Sequence, residues 1–103
     1  MAKGYWVALV DVSDPDGYKA YVRENAVAFK KFGARFVVRG GINSKVEGSL
    51  RSRVVVIEFS DYQTALDCYH SSEYAKAKAL RENVSLADLI IVDGYTGAQP
   101  DQG

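Results

Sequence analysis

The sequence predicts an α+β protein with the ferredoxin-like fold, in which a four-stranded antiparallel sheet carries its helices on one face. The order of strand-like and helix-like segments is βαββαβ, which is the split βαβ arrangement with sheet order 4-1-3-2. The length of 103 residues suits one compact domain. The strand segments are also apolar on both faces, as expected for a sheet that is covered twice.

The first quarter of the chain predicts a strand followed by a helix. Residues 4–12, GYWVALVDV, are rich in aromatic and β-branched side chains and predict the first strand. Asp14 is placed to cap the first helix, and Pro15 suits its first position. The helix is predicted to run to about Lys31 and to end at Gly33.

The middle of the chain predicts a β-hairpin. Residues 34–47 form the second strand, with a bend or bulge at the pair Gly40-Gly41. Residues 52–59, SRVVVIEF, return as the third strand. We expect this third strand to lie beside the first strand, in parallel orientation, at the centre of the sheet.

The last part of the chain predicts two helices and a strand. Ser60 and Gln63 are placed to form a capping box at the start of the second helix. Ser71 can cap a third helix over residues 72–83, and residues 87–95 predict the fourth strand.

The predicted elements divide the chain into one domain and a tail. Residues 1–95 form a single domain, and residues 96–103, TGAQPDQG, are polar without periodicity and predict a disordered tail.

Composition restricts the function classes. Thirteen basic residues balance thirteen acidic ones, so the basic excess of a nucleic-acid binder is missing and we expect no nucleic-acid partner. No apolar run approaches the about 20 residues that span a bilayer, so we expect no membrane partner. The N-terminus lacks a signal-peptide pattern, and the single Cys68 forms no intrachain disulfide, which together predict a cytoplasmic protein. One His and one Cys predict no metal site, and without a phosphate-binding glycine motif we expect no cofactor.

The third strand is apolar on both sides, which predicts a partner subunit. Val55, Ile57 and Phe59 point to one face of the sheet, and Val54 and Val56 point to the other. Because the helices cover one face only, a second copy of the chain is the natural cover for the other. We therefore predict a homodimer.

Three charged residues share the parity of the face without helices: Asp11, Arg39 and Glu58. With the first and third strands parallel, these residues would also share one end of the sheet. A buried ion without a partner costs several kcal/mol, so Arg39 is expected to pair with Glu58 or Asp11. A bulge would instead turn Arg39 toward the helices, where helix tyrosines and Asn25 would be its partners.

Two functional hypotheses follow, and the residues alone do not decide whether the protein is an enzyme. In the first, the protein binds or converts a small anionic or aromatic metabolite, with Arg39 as the anion anchor and Glu58 as a general acid or base of raised pKa. In the second, the same charges fix the subunit register of a non-catalytic dimeric module. The candidate site residues are Glu58 and His70 for catalysis, and Arg39, Asp11, Tyr21, Tyr69, Tyr74 and Arg81 for ligand binding.

Several motifs resemble a bacterial family catalogued as domain of unknown function 1330. They are KGYWVALVDVSDPDGYKAYV, FVVRGG, VEG, RVVVIEFSDYQTALDCYHSSEYAKAKALR and DGY, and the similarity runs from about Lys3 to Tyr95. The resemblance implies the dimeric α/β-barrel form of the ferredoxin-like fold, and it implies no established reaction. Cys68 stands where the family often has an aromatic residue, which would alter one wall of any pocket.

Overall fold

The computed structural model describes residues 2–102, which form one sheet and three helices. The elements in chain order are β1 (Gly4–Val12), α1 (Pro15–Lys31), β2 (Arg35–Arg39), β3 (Arg53–Phe59), α2 (Tyr62–Tyr69), α3 (Ser72–Arg81) and β4 (Ser85–Asp93). The sheet order is β2-β3-β1-β4, which is the predicted order read from the opposite edge. All three strand pairs are antiparallel. The predicted α+β ferredoxin-like fold is therefore confirmed.

One prediction about the centre of the sheet is wrong. β1 and β3 are neighbours as expected, but they run antiparallel, with Glu58 opposite Tyr5. Asp11 lies at the other end of β1, opposite Leu86 of β4. The physical reason is the chain topology. Helix α1 returns the chain so that β2 runs parallel to β1, and β3 pairs antiparallel with β2. β3 therefore also runs antiparallel to β1. Asp11 and Glu58 are thus at opposite ends of the sheet.

The first and third helices begin as the sequence predicts. The carboxylate of Asp14 accepts a hydrogen bond of 3.1 Å from the backbone N–H of Gly17. The hydroxyl of Ser71 accepts one of 3.1 Å from the backbone N–H of Tyr74. Each bond satisfies a donor that the first helical turn leaves free. No helix in residues 2–102 has the length and apolar character needed to cross a membrane.

The second helix begins one residue later than a capping box at Ser60 and Gln63 requires. Its N-cap is Asp61, whose carboxylate accepts a hydrogen bond of 2.7 Å from the backbone N–H of Thr64. The side chain of Gln63 instead donates to Asp67 at 2.9 Å. A carboxylate at the N-cap also interacts favourably with the positive end of the helix dipole, which explains why Asp61 takes this position.

The core lies between the sheet and the helices, and Trp6 is at its centre. The indole N–H of Trp6 donates a hydrogen bond of 2.8 Å to the carbonyl of Ala65 on α2. Its ring contacts Phe29 of α1 and Tyr74 of α3 edge to face, at centroid distances of 5.3 and 4.9 Å. Alternate strand residues complete the inner face of the sheet: Ala8, Val10, Val55, Ile57 and Phe59. Val38, which alternation from Phe36 would place on this face, lies opposite Val56 on the other face because of a bulge in β2.

The other face of the sheet, which we call the open face, has no helix on it. Val38, Val56, Val7 and Ile90 are neighbours in register and place one aliphatic side chain from each strand in a single row. We call these four residues the central row. Ile90 is 60% exposed, while the three valines are half-buried by their neighbours.

The hairpin between β2 and β3 differs from its prediction in two ways. β2 ends at Arg39, and the residues that follow, from Gly40 to Leu50, are exposed. The irregularity in the pairing lies between Phe36 and Val38 and not at the glycine pair. Past this bulge Arg39 is opposite Val55, and its side chain points to the inner face.

Gly4 provides a test of the packing between β1 and α2. A Cβ atom at Gly4 would overlap the carbonyl of Asp61 and lie 2.7 Å from the Cα of Tyr62. Because both are backbone atoms, we expect Gly4→Ala to lower the free energy of unfolding by about 1–3 kcal/mol in urea denaturation. Gly41→Ala meets open space and is the control, with an expected change below about 0.5 kcal/mol. Equal stabilities of the two variants would contradict this packing.

Cys68 provides a test of the burial of α2. Its side chain is wholly buried, and burial raises the pKa of the thiol to about 12. Only the thiolate attacks a disulfide reagent, so the native protein at pH 8 should react with Ellman's reagent far more slowly than the protein in urea. Rapid stoichiometric labelling of the native protein would show that this part of the core opens.

Candidate functional site

A cavity of about 40 Å³ lies between the inner face of the sheet and the helices α1 and α3. A space of this size takes a group as small as a carboxylate. Most of its wall is apolar or aromatic. The lining residues are Trp6, Ala8, Val10, Tyr18, Tyr21, Val22, Asn25, Phe29, Phe36, Arg39, Arg53, Val55, Ile57, Tyr74, Arg81, Ala87 and Leu89.

Three arginines from three different elements line this cavity: Arg39 of β2, Arg53 of β3 and Arg81 of α3. The wall contains no aspartate or glutamate. Among residues 2–102, the ion pairs are formed by other lysines and arginines. Positive charges that are partly removed from water without a counter-charge are unfavourable, so this arrangement favours an anion in the cavity.

Within residues 2–102, Arg53 differs from the other two arginines in having a buried nitrogen without a partner. Its Nε is the one buried side-chain nitrogen or oxygen in the described part of the chain that has no hydrogen-bond partner. Its guanidinium packs against the backbone of Gly40, where a Cβ atom would lie 2.6 Å from the Arg53 Cζ. Gly40 also has a φ of +66°, which a residue with a side chain rarely adopts. The first glycine of the pair therefore serves both the turn after β2 and the position of Arg53.

Arg53 is not among the predicted site residues, although a signal for it exists in the sequence. It precedes Val55 and Ile57 by two and four positions on the same strand, so simple alternation places it on the inner face. An arginine with the parity of buried aliphatic residues is an unusual feature that needs a partner.

Arg39 lies at the mouth of the cavity. It is exposed, and its guanidinium carbon is 4.0 Å from the ring centre of Phe36, which is also partly exposed. This cation–π contact holds the charge over the cavity entrance. The bulge before Arg39 turns it toward the helices, so the predicted ion pair with Glu58 or Asp11 is wrong and the alternative orientation is the one observed.

Two tyrosines and Arg81 form a hydrogen-bonded chain in the wall. The hydroxyls of Tyr21 and Tyr74 are 2.9 Å apart, and the Nε of Arg81 donates to the Tyr74 hydroxyl at 3.2 Å. Both phenols are buried. Burial, together with the neighbouring Tyr74, raises the pKa of Tyr21, so its phenol is neutral at physiological pH.

Tyr18 lies beside this chain, with its ring centre 5.2 Å from that of Tyr21. Burial raises the pKa of the Tyr18 phenol, while the positive charges of Arg53, Arg81 and Arg39 oppose the rise. Asn25 of α1, which is also buried, lines the same space.

Glu58 and Asp11 lie on the open face, away from the cavity. Glu58 accepts a hydrogen bond of 3.1 Å from the hydroxyl of Tyr5. Asp11 accepts from the backbone N–H of Ser52 at 2.9 Å and pairs with Arg51 at 3.1 Å. The Ser52 bond and the Arg51 charge lower the pKa of Asp11. The predicted cluster of Asp11, Glu58 and Arg39 therefore does not form, because the first two are at opposite ends of one face and the third is on the other.

His70 and Tyr69 lie in a shallow outer groove between α2, α3 and β4. His70 follows α2 as its C-cap and is exposed, with its ring 5.3 Å from that of Tyr69. Arg81 borders both the groove and the cavity. Of the predicted site residues, Arg39, Tyr21, Tyr74 and Arg81 thus line one cavity, and the other four lie elsewhere.

Comparison with known structures shows the same fold in several bacterial proteins. No curated protein matches the chain. A protein of unknown function from Rhodopseudomonas palustris aligns with a TM-score of 0.70 at 18% identity, over 93% of this chain and 85% of its own. SnoaB, a cofactor-independent oxygenase from Streptomyces nogalater, aligns with a TM-score of 0.62 at 12% identity, over 96% of both chains. A conserved protein of unknown function from Bacteroides thetaiotaomicron, described as a possible oxidoreductase, aligns with a TM-score of 0.59 at 11% identity, over 89% of this chain and 97% of its own. At such identities the likeness concerns the fold.

The family comparison covers nearly the whole chain. The model of the family "Domain of unknown function (DUF1330)" matches residues 3–95. This range contains every strand and helix described above and every residue that lines the cavity. It also agrees with the resemblance that the sequence motifs indicate. The chain is a member of the DUF1330 family.

Proposed function

We propose that the protein binds a small organic anion, a carboxylate on an apolar or aromatic body, in the cavity between the sheet and helices α1 and α3. The observation that carries this proposal is the convergence of Arg39, Arg53 and Arg81 on a wall without acidic residues. A carboxylate would supply the missing counter-charge and would accept hydrogen bonds from the guanidinium groups in a planar geometry.

The dimensions of the cavity indicate how such a ligand would lie. The cavity volume of about 40 Å³ suits the charged head group of a ligand better than its whole body. Arg53 and Arg81 are partly buried, whereas Arg39 and Phe36 are exposed at the mouth. The head group would therefore lie against Arg53 and Arg81, and the apolar body would extend outward along the Phe36 ring.

Any chemistry at this cavity would rely on groups other than Glu58 and His70, because neither lines it. The titratable groups of the wall are the three arginines and the phenols of Tyr18, Tyr21 and Tyr74. Binding is accordingly the function we propose, and turnover would involve the tyrosine hydroxyls as proton or hydrogen-bond donors.

Benzoate and benzamide test the requirement for negative charge, because they have nearly the same shape. We expect isothermal titration calorimetry to detect the binding of benzoate. The affinity for benzamide should be at least about tenfold lower, because charge-assisted hydrogen bonds contribute about 1.5–3 kcal/mol. Arg53→Met should weaken benzoate by about tenfold to a hundredfold for the same reason. Gly40→Ala should weaken it as well, because the new Cβ displaces the Arg53 guanidinium.

The matched control is Arg51→Met, since Arg51 pairs with Asp11 and Asp88 on the open face. It should leave benzoate affinity unchanged. Guanidinium groups remain charged over the working pH range, so affinity should be constant above the pKa of the ligand and should fall below it. Equal binding of benzamide, or equal losses in Arg51→Met and Arg53→Met, would contradict the proposal.

We further propose that the protein is a homodimer that buries the open face. The central row presents aliphatic side chains from all four strands to solvent, and a stable dimer buries about 800 Å² on each partner. A two-fold axis through this row would place the same apolar surface against itself, which makes a second copy a suitable partner.

Val56→Lys tests the dimer, because Val56 is in the central row between Val7 and Val38. We expect multi-angle light scattering to give twice the chain mass of 11.3 kDa for the wild type and the single chain mass for the variant. Val27→Lys is the control, since Val27 is 52% exposed on α1 and far from the open face. A wild type that remains monomeric at micromolar concentration would refute this assembly.

A further inference from the structure

We infer that the Tyr21 hydroxyl is the hydrogen-bond donor that the cavity presents to an oxygen anion of its ligand, of the phenolate or enolate class, with Tyr74 and Arg81 holding it in that role. The inference rests on the proposed function, because it concerns the same cavity. It goes further by assigning a direction to the hydrogen bonds in the wall and by extending the ligand class from the carboxylate to a phenolate or enolate oxygen, which would lie in the same head-group position.

The direction of the chain follows from the chemistry of its members. A guanidinium only donates, so the Tyr74 oxygen accepts from the Arg81 Nε at 3.2 Å. The hydroxyls of Tyr74 and Tyr21 are 2.9 Å apart, and either one can be the donor. If Tyr74 donates, the hydrogen of Tyr21 is left for another acceptor; if Tyr21 donates, the hydrogen of Tyr74 is left.

Burial decides between these two arrangements. Tyr74 is 0% exposed and Tyr21 is 8% exposed. Within residues 2–102, the Tyr74 hydroxyl has Tyr21 and Arg81 as its hydrogen-bond partners. A hydroxyl hydrogen left without an acceptor is more unfavourable at the fully buried position, so Tyr74 donates to Tyr21. The free hydrogen then belongs to Tyr21 and is available to the cavity that both residues line.

The charge at the start of the chain makes Tyr21 a stronger donor than an isolated phenol. Hydrogen bonds in series polarise one another, and this series begins at the positive charge of Arg81. A strong donor in a partly desolvated site stabilises most an oxygen on which negative charge is concentrated. A phenolate or enolate oxygen has this property, whereas a neutral phenol or ketone does not.

Tyr18 is the rival donor for the same position. It lines the cavity and is half-buried, with its ring 5.2 Å from that of Tyr21. It has no hydrogen bond to Tyr74 or Arg81 in the described part of the chain, so it lacks the polarising series. Removing the Tyr21 hydroxyl and removing the Tyr18 hydroxyl in separate variants therefore distinguishes the two candidate donors.

The probe is 4-nitrophenol, whose ionised and neutral forms differ in absorbance. We expect the pKa of the bound 4-nitrophenol to be lower than that of the free compound in titrations of the wild-type protein. Tyr21→Phe should reduce the preference for the phenolate over the phenol by about tenfold, which is one pKa unit. Tyr74→Phe should reduce it in the same direction, because the series from Arg81 is broken. Tyr62→Phe, outside the cavity at the start of α2, should leave it unchanged.

Each outcome bears on the inference. It is overturned if Tyr18→Phe abolishes the pKa difference and Tyr21→Phe does not, or if the difference is absent in the wild type. Benzoate separates the role of Tyr21 from the proposed anion binding. If benzoate binds but the pKa of 4-nitrophenol is not lowered, this inference alone is overturned. If neither compound binds, the proposed function is overturned as well. Should a variant fail to fold, the wild-type protein with its tyrosines labelled with ¹³C at Cζ gives a second test. Addition of 4-nitrophenolate must then shift the Cζ resonance of Tyr21 more than that of Tyr18 or Tyr62.

Discussion

Three positive charges without a negative one in a largely apolar cavity are the constraint on which the organisation of this protein depends. Like charges repel, and the partly buried guanidinium groups of Arg53 and Arg81 also lose hydration. Arg81 is partly stabilised by Tyr74, and Arg39 by the ring of Phe36, but the Nε of Arg53 has no partner within residues 2–102. An arrangement that is unfavourable in the empty protein and favourable with an anion is typical of a binding site.

The fold meets this constraint through small local devices. The bulge in β2 turns the side chain of Arg39 from the open face to the inner face. Gly40 adopts a positive φ directly after the strand, and its lack of a Cβ atom leaves space for the Arg53 guanidinium. α3 brings Arg81 and Tyr74 to the same wall. The sheet thereby has two distinct roles, because its inner face contributes to the cavity while its open face presents the central row to a partner.

The sequence predicts the elements well and the site only in part, for physical reasons. Residue periodicity and caps are local, so the bounds of α1 and the Ser71 cap follow directly from the residues. The direction of β1 relative to β3 depends on chain topology, and the bulge depends on how β2 pairs, so the cluster of Asp11, Arg39 and Glu58 was predicted from an incorrect geometry. Arg53 needed only the alternation of β3, whereas its lack of a partner becomes visible only in three dimensions.

The most direct measurement of the central claim is the ¹H–¹⁵N spectrum of the arginine Nε groups as benzoate is added. The account predicts that the resonances of Arg53 and Arg81 shift as benzoate is added and reach a plateau when the site is saturated, because a carboxylate supplies the missing counter-charge. Arg51, which pairs with Asp11 and Asp88 on the open face, is an internal reference that should not move. A titration in which Arg51 shifts as much as Arg53, or in which none of them shifts at saturating benzoate, would contradict the claim that this cavity binds an anion.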